Sequence, residues 1–315
     1  QAVQDGAFPT CPYPNPEVRE ALELGLELCE ETKADLLFAT DPDCDRLGIA
    51  VPHGGEYVLL SGNEVGLLLL DMLAERAAGS GEDLSRRVAV TTVVSAPMAD
   101  DLARAYGLEL RRTLTGFKFV GEQIGLLESQ GREADFLFGF EESYGYLAGT
   151  HARDKDAVVS SVLVCELVAH WKARGLDLYE AMQRLYAEHG FWSSALLSKA
   201  YEGPEGAADM AAIMAGLRAN PPAELAGVPV DQFVDYAVGA EMPAVNPSDP
   251  KPQQLPRADV LELLLAGGSR AIVRPSGTEP KIKAYVFATE ATVEGADSLL
   301  ASISAEVESI LGGTK

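Results

Sequence analysis

An α/β chain built in layers is predicted by strands and helices that alternate over roughly the first 190 residues. Three observations carry that expectation. Apolar strand runs such as "RVAVTTVV" (87–94) and "ADFLFGF" (134–140) are separated by helix-length segments with recognisable ends. Of the 315 residues, 47% are hydrophobic, enough for real cores and for about two domains. After Gly190 the texture changes, which places a domain boundary near 188–192.

The elements follow in order. Pro9, Pro12, Pro14 and Pro16 make an extended entry to a helix over 17–31. "ADLLFAT" (34–40) and "RLGIAVP" (46–52) are short apolar strands on either side of an acidic loop. "YVLLSGNEVGLLLLDMLAERAAG" supplies a strand and then a helix, with Ser61 and Glu64 in capping-box spacing and Gly79 past the end. The β-branched run 87–94 is a strand, and the helix from about Pro97 to Tyr106 has proline at its start. A short strand near 109–113 leads into "TLTGFKFVGEQIGLLES", a loop passing into a helix. The buried strand 134–140 ends at "EESYG", and helices at about 155–174 and 177–188 close the region. Beyond Gly190, "FWSSALLSKAYEG" is strand-like and 205–218 is an Ala-rich helix. A stretch rich in Pro, Asn and Asp (242–256) interrupts the pattern. Strands near 259–265, 269–273 and 281–288 then bracket "RPSGTEP", and helix 291–311 follows.

The net charge of −23 argues against general affinity for nucleic acid or for an anionic membrane. A phosphorylated ligand would need a local cluster of Lys and Arg to overcome that field. "VGLLLLDML" is too short to span a bilayer and carries an Asp. Cys11, Cys29, Cys44 and Cys165 show no CxxC or metal-ligand spacing, so reduced thiols in a cytoplasmic setting are the simple reading. The opening "QAVQDGAFPTCPYPNPE" is expected to lie inside a longer protein.

Four loops carry chemistry. "ATDPDCDRLGIAV" sets Asp41, Asp43 and Asp45 on alternate residues. Like charges about 4 Å apart repel by roughly 4 kcal/mol at an effective dielectric near 20. The loop is therefore either open and solvated or holds something cationic. An EF-hand is excluded, because its sixth and twelfth positions are Arg46 and Pro52 here. An aspartyl phosphatase would use Asp41 and Asp43, with no role for Asp45. Three oxygen ligands suit one hard divalent cation, Mg²⁺ first among them.

"RPSGTEP" offers a guanidinium fork in Arg274, hydroxyls in Ser276 and Thr278, and the backbone N–H of Gly277, a set suited to phosphate. An ordinary hairpin turn is the competing reading. "GFEESYG" puts Glu141, Glu142 and Ser143 at a strand's C-terminal end, where α/β sheets bind ligands. There they suit sugar hydroxyls, or form only a polar turn. Arg153 and Lys155 oppose the dipole at the start of a long helix. An anionic ligand would explain them, as would pairing with Asp154 and Asp156. Lys118 in "TLTGFKF" stands at a loop-to-helix junction within reach of a ligand.

The order of these loops resembles the α-D-phosphohexomutase family over essentially the whole chain. "DPDCDRLG" resembles its metal loop, "GFEESYG" its sugar loop and "RPSGTEP" its phosphate loop. "YPNPE", "TGFKF" and "GFEESYGYLAGTHARDKDA" look most like the branch of bacterial α-phosphoglucomutases and phosphoglucomutase-2-type enzymes. The resemblance implies that Asp41, Asp43 and Asp45 bind one Mg²⁺ together with a phosphoserine. It implies interconversion of glucose 1-phosphate and glucose 6-phosphate through a hexose 1,6-bisphosphate.

Arg46 and Lys118 match the family's general acid/base or charge-stabilising positions. Glu141 and Ser143 would hold sugar hydroxyls. Arg274, Ser276, Gly277 and Thr278 would grip the phosphate that is not reacting, with Arg153 and Lys155 assisting. The family's serine lies in a Ser-His-Asn context, and no Ser here is followed by His. The family has four domains. The chain is expected to hold the end of the second (1–60), the α/β third (61–190) and the smaller fourth with an antiparallel sheet (191–315). A non-catalytic sugar-phosphate binding module is the further alternative.

Overall fold

Leu22, Leu26 and Cys29 bury one stripe of the first helix, α1 (Arg19–Thr32), as their four- and three-residue spacing requires. Lys33, in the left-handed conformation at φ 55°, ends it. The helix lies on a three-stranded antiparallel sheet of β1 (Leu37–Thr40), β2 (Leu47–His53) and β3 (Glu56–Leu60), taken in that order. Leu37, Ala39, Tyr57 and Leu59 pack against Leu22, Leu26 and Ala50. The Tyr57 hydroxyl donates to the carbonyls of Cys29 and Ala34, tying the end of α1 to β3.

These coordinates form a computed structural model that describes residues 3, 5–201, 203–242, 253–277 and 280–312. It separates into two units, one built on Gln1–Leu185 and the other on Tyr186–Met242 with Pro252–Lys315. The first unit continues with α2 (Gly62–Gly79), β4 (Val88–Thr92), α3 (Met98–Tyr106), β5 (Glu109–Thr113), α4 (Phe117–Ser129), β6 (Phe136–Glu141), β7 (Gly145–Ala148) and α5 (Ala157–Lys172), and the boundary falls within α6 (Leu178–His189). Both halves of the Ser61/Glu64 capping box are made, at 3.3 and 2.7 Å. Gly79 proves to be the last helical residue, and Ser80 is the cap.

Four strands form a second sheet in the order β5-β4-β6-β7. β4 runs parallel to both its neighbours, and β7 returns antiparallel to β6. The chain leaves β4 for β5 on one side and then crosses to β6 on the other. That reversal leaves a crevice at the strands' carboxyl ends, the usual ligand edge of such sheets. Val88, Val90 and Phe136 meet Phe117, Val120, Ile124 and Leu127 of α4 on one face. On the other face, Gly66 of α2 lies against the Phe140 ring.

Two expectations shift here. β4 stops at Thr92 rather than residue 94, because the Thr92 and Ser95 carbonyls turn to accept from the buried Arg112 guanidinium. β7 was not anticipated; it is four residues long and begins at a glycine behind a tight loop with Tyr144 at φ 63°.

In the second unit, β8 (Phe191–Ala200), α7 (Gly203–Ala219), β9 (Glu224–Leu225), β10 (Val228–Asp235), β11 (Glu241–Met242), β12 (Gln253–Gln254), β13 (Leu261–Leu265), β14 (Arg270–Pro275), β15 (Lys281–Glu290) and α8 (Val293–Gly312) succeed one another. Six of the strands form an antiparallel sheet ordered β8-β15-β14-β13-β10-β9. Met214 and Leu217 of α7 and Ile303, Val307 and Leu311 of α8 seal its apolar side. β10 escaped the sequence pattern because Pro229 interrupts it. That proline pairs with Glu224 of the edge strand β9, before the ladder to β13 begins at Val230.

Candidate active site

Asp41 follows β1 directly, and its Oδ1 accepts the backbone N–H groups of Asp45 (3.1 Å) and Arg46 (3.0 Å). Cys44, left-handed at φ 60°, lets the chain double back between them. The loop so folded brings one carboxylate oxygen from each of Asp41, Asp43 and Asp45 within 4.8 Å of the others. Two cations temper the expected repulsion. Lys155 Nζ lies 2.9 Å from Asp45 Oδ2, and Arg46 Nε lies 3.7 and 3.9 Å from Asp41 and Asp45.

Burial raises the Asp41 carboxyl, but the two backbone donors together with side-chain hydrogen bonding to Asp43 and Asp45 outweigh it and hold the group below its usual range. Burial raises Asp45, and the neighbouring Asp41 and Asp43 add to that against the opposing pull of Lys155. Three hard oxygen donors with no sulfur or nitrogen among them fit a hard divalent cation.

The loop that carries Glu141, Glu142 and Ser143 adjoins this cluster. Arg46 bridges to Gly145, Leu47 N donates to Tyr144 O (2.9 Å), and Ala157 N donates to Cys44 O (3.2 Å). Glu141, at the end of β6, is buried, and its carboxyl is pushed up to about 7 by desolvation and by Glu142. Lys155 Nζ, 3.9 Å from Glu141 Oε1, pulls the other way. Gly145 leaves the room for the lysine: a Cβ there would stand 2.1 Å from Lys155 Cδ. Ser143 Oγ donates to Glu142 Oε1 at 3.2 Å.

Asp41, Asp43, Asp45, Arg46, Glu141, Ser143 and Lys155 thus belong to one neighbourhood. Arg153 turns away, donating to Glu128 Oε2 (2.9 Å) and to the Thr150 carbonyl (2.7 Å). Lys118 is exposed in the first turn of α4, with Nζ 4.9 Å from the Phe119 ring centroid. Glu17 was not singled out from the sequence, yet its Oε1 accepts from Arg46 Nη1 at 2.6 Å. Its signal lay in "YPNPE", where Asn15 Oδ1 accepts the Glu17 N–H and sets its direction.

In the second unit, Arg274 is next to last in β14, whose partner strand β15 carries Tyr285. Arg274 Nη2 donates to the Tyr285 hydroxyl (3.0 Å), and the guanidinium lies 5.6 Å from that ring's centroid. Ser276 N donates to Lys281 O (2.7 Å), closing a hairpin tip on which Gly277 is exposed. Thr278 lies outside the described residues.

Three family models match along the chain. Phosphoglucomutase/phosphomannomutase alpha/beta/alpha domain II covers residues 1–55, domain III residues 61–189, and the C-terminal domain residues 208–302. A Haemophilus influenzae protein named "Probable phosphomannomutase" is 36% identical over 99% of this chain and 58% of its own length. A Staphylococcus aureus phosphoglucomutase is 36% identical over 91% of this chain and 50% of its own. The chain thus spans about half the length of these curated relatives. The Paramecium phosphoprotein pp63/parafusin, a phosphoglucomutase, superposes with a TM-score of 0.62 at 19% identity, over 95% of this chain and 49% of that one. At that identity the likeness speaks for the fold. The matched domains and the named relatives agree: this chain belongs to the α-D-phosphohexomutase (phosphoglucomutase/phosphomannomutase) family.

Proposed function

We propose that this chain supplies the metal, sugar and phosphate loops of a hexose-phosphate mutase, which interconverts hexose 1-phosphate and hexose 6-phosphate. The observation that carries the reading is the Asp41–Asp43–Asp45 cluster joined through Lys155 to the buried Glu141. Asp41, Asp43 and Asp45 would hold Mg²⁺, which when bound supplies positive charge to a phosphoryl oxygen. In the reaction a phosphoserine P–O bond breaks as a P–O bond to the sugar forms. The hexose 1,6-bisphosphate reorients, and its other phosphoryl group returns to serine. With no Ser-His pair in the sequence, the serine is assigned outside these residues.

Arg46 acts as a fixed positive charge, since a guanidinium keeps its proton. Lys118, exposed at the mouth of α4, is assigned to the reacting groups as a charge-stabilising or proton-carrying residue. Glu141 and Ser143 take sugar hydroxyls. Arg274, Ser276, Gly277 and Thr278 hold the phosphate at rest, while Lys155 stays with Asp45 and Glu141 and Arg153, turned to Glu128, takes no part. The functional division at residues 60 and 190 is supported by the spans of the family matches. A cytoplasmic site of action goes with a sugar-phosphate substrate, and among the described residues no helix is long and apolar enough to cross a membrane.

The test has two parts. Calorimetric titration with glucose 1- and 6-phosphate in Mg²⁺ should show binding that Arg274→Ala weakens by about one to two decades, the size of a charge-assisted contact. A coupled assay with glucose-6-phosphate dehydrogenase should show no turnover by this chain alone. Equal affinity in the variant overturns the phosphate assignment, and turnover by the purified chain overturns the nucleophile assignment.

A further inference from the structure

Between Glu141 and Ser143 sits Glu142, a residue the mutase reading leaves without a task. Its carboxylate is held from below. Thr92 Oγ1 lies 3.2 Å from Glu142 Oε2, Ser95 Oγ lies 3.5 Å from it, and the two hydroxyls are 2.8 Å apart. Either of two relays satisfies all three groups: one hydroxyl donates to the other, and the second donates to the carboxylate, the shorter contact being the one from Thr92. Both hydroxyl residues are fully buried. Their loop is itself clamped, for Arg112 donates to the carbonyls of Thr92, Ser95 and Ala96 and to both carboxylate oxygens of Asp100. From above, Gly62 approaches so closely that a Cβ would stand 2.2 Å from Glu142 O, which fixes the backbone of the same residue.

With Oε2 so engaged, Oε1 faces Ser143 and accepts its hydroxyl proton at 3.2 Å. A serine hydroxyl has one proton and two lone pairs. Once the proton is committed, only the lone pairs remain to offer. We propose that Glu142 is a positioning residue, which accepts the hydrogen bond of the Ser143 hydroxyl, fixes the Ser143 rotamer and turns that hydroxyl into a dedicated acceptor for a sugar O–H. The inference rests on the mutase reading for the identity of the sugar, but the hydroxyl geometry stands apart from it.

Two measurements test it on this chain. In the ligand-free protein, serine-selective NMR couplings should report a single χ1 rotamer for Ser143. That rotamer should be averaged in Glu142→Ala and restored in Glu142→Gln, whose amide oxygen still accepts. In titrations with glucose 6-phosphate, Glu142→Ala should weaken binding about five-fold, the worth of one hydrogen bond, and Glu142→Gln about two-fold or less. On a Ser143→Ala background, Glu142→Ala should add no further loss, because the group it positions is gone. A Ser143 rotamer unchanged in Glu142→Ala overturns the proposal. So does an equal loss on both backgrounds, which would mark a general loosening of the loop. Absence of glucose 6-phosphate binding by the wild-type chain overturns the mutase reading instead, and the rotamer measurement then decides the role of Glu142 alone.

Discussion

Glu141 has its carboxyl raised by burial and by Glu142 from an ordinary 4.5 to about 7, so the fold favours its protonated form. A raised carboxyl contributes stability that is full below the ordinary value and lost as pH climbs through about 7. In metal-free buffer, the wild-type chain should therefore lose on the order of 3 kcal/mol relative to Glu141→Gln between pH 4.5 and 8. Urea midpoints across that range measure it, and parallel pH curves for the two proteins would refute the assignment. Asp43 is the exposed member of its trio. Asp43→Asn should weaken Mg²⁺ binding about ten-fold by removing charge from the ligand set, as calorimetry can read. The three aspartates and the Glu-Glu-Ser run were legible as candidates because their spacing singles them out. The direction of Lys155 was not. Two cations at a helix start look alike in sequence, and only the missing Cβ of Gly145 lets the lysine stem pass inward while Arg153 turns out to Glu128.

Among elements, α5 begins at Asp156, whose Oδ1 accepts from Val158 N (2.8 Å) and Val159 N (3.0 Å). The hydrogen bond from His151, aided by those donors against partial burial, holds the Asp156 carboxyl below its usual range. Such a depressed carboxyl stabilises the fold above its unfolded value and stops doing so as pH falls through the lowered one. Asp156→Ala should cost about 1–2 kcal/mol in urea unfolding at pH 7, with the difference shrinking in acid. No change in midpoint would show that the cap is dispensable. Helix α2 was readable to its first residue because Ser61 and Glu64 are a local signal. β7 and β10 were not. One hides behind a turn whose left-handed Tyr144 carries no turn-residue signature, and the other contains a proline that only its place opposite a two-residue edge strand makes harmless.

At the scale of the whole chain, alternating strands and helices announced the α/β layers of the first unit, and the change after Gly190 announced a second body. What no local pattern could reveal is the join between β2 and the hairpin of β6 and β7. Arg46 and Gly145 are far apart in sequence, so their pairing is a long-range contact outside the reach of any local pattern. That join has a consequence for energetics. The carboxylate loop and the Glu141–Ser143 loop are joined by backbone hydrogen bonds, so a ligand that stiffens either loop removes part of the ordering cost the other would meet. Coupling of this kind is reciprocal by thermodynamic necessity. Saturating glucose 6-phosphate should raise the affinity for Mg²⁺ by the same factor by which Mg²⁺ raises the affinity for glucose 6-phosphate. Four calorimetric titrations close that square, and a factor of one on both sides would mean that the two loops are stitched together yet bind as strangers.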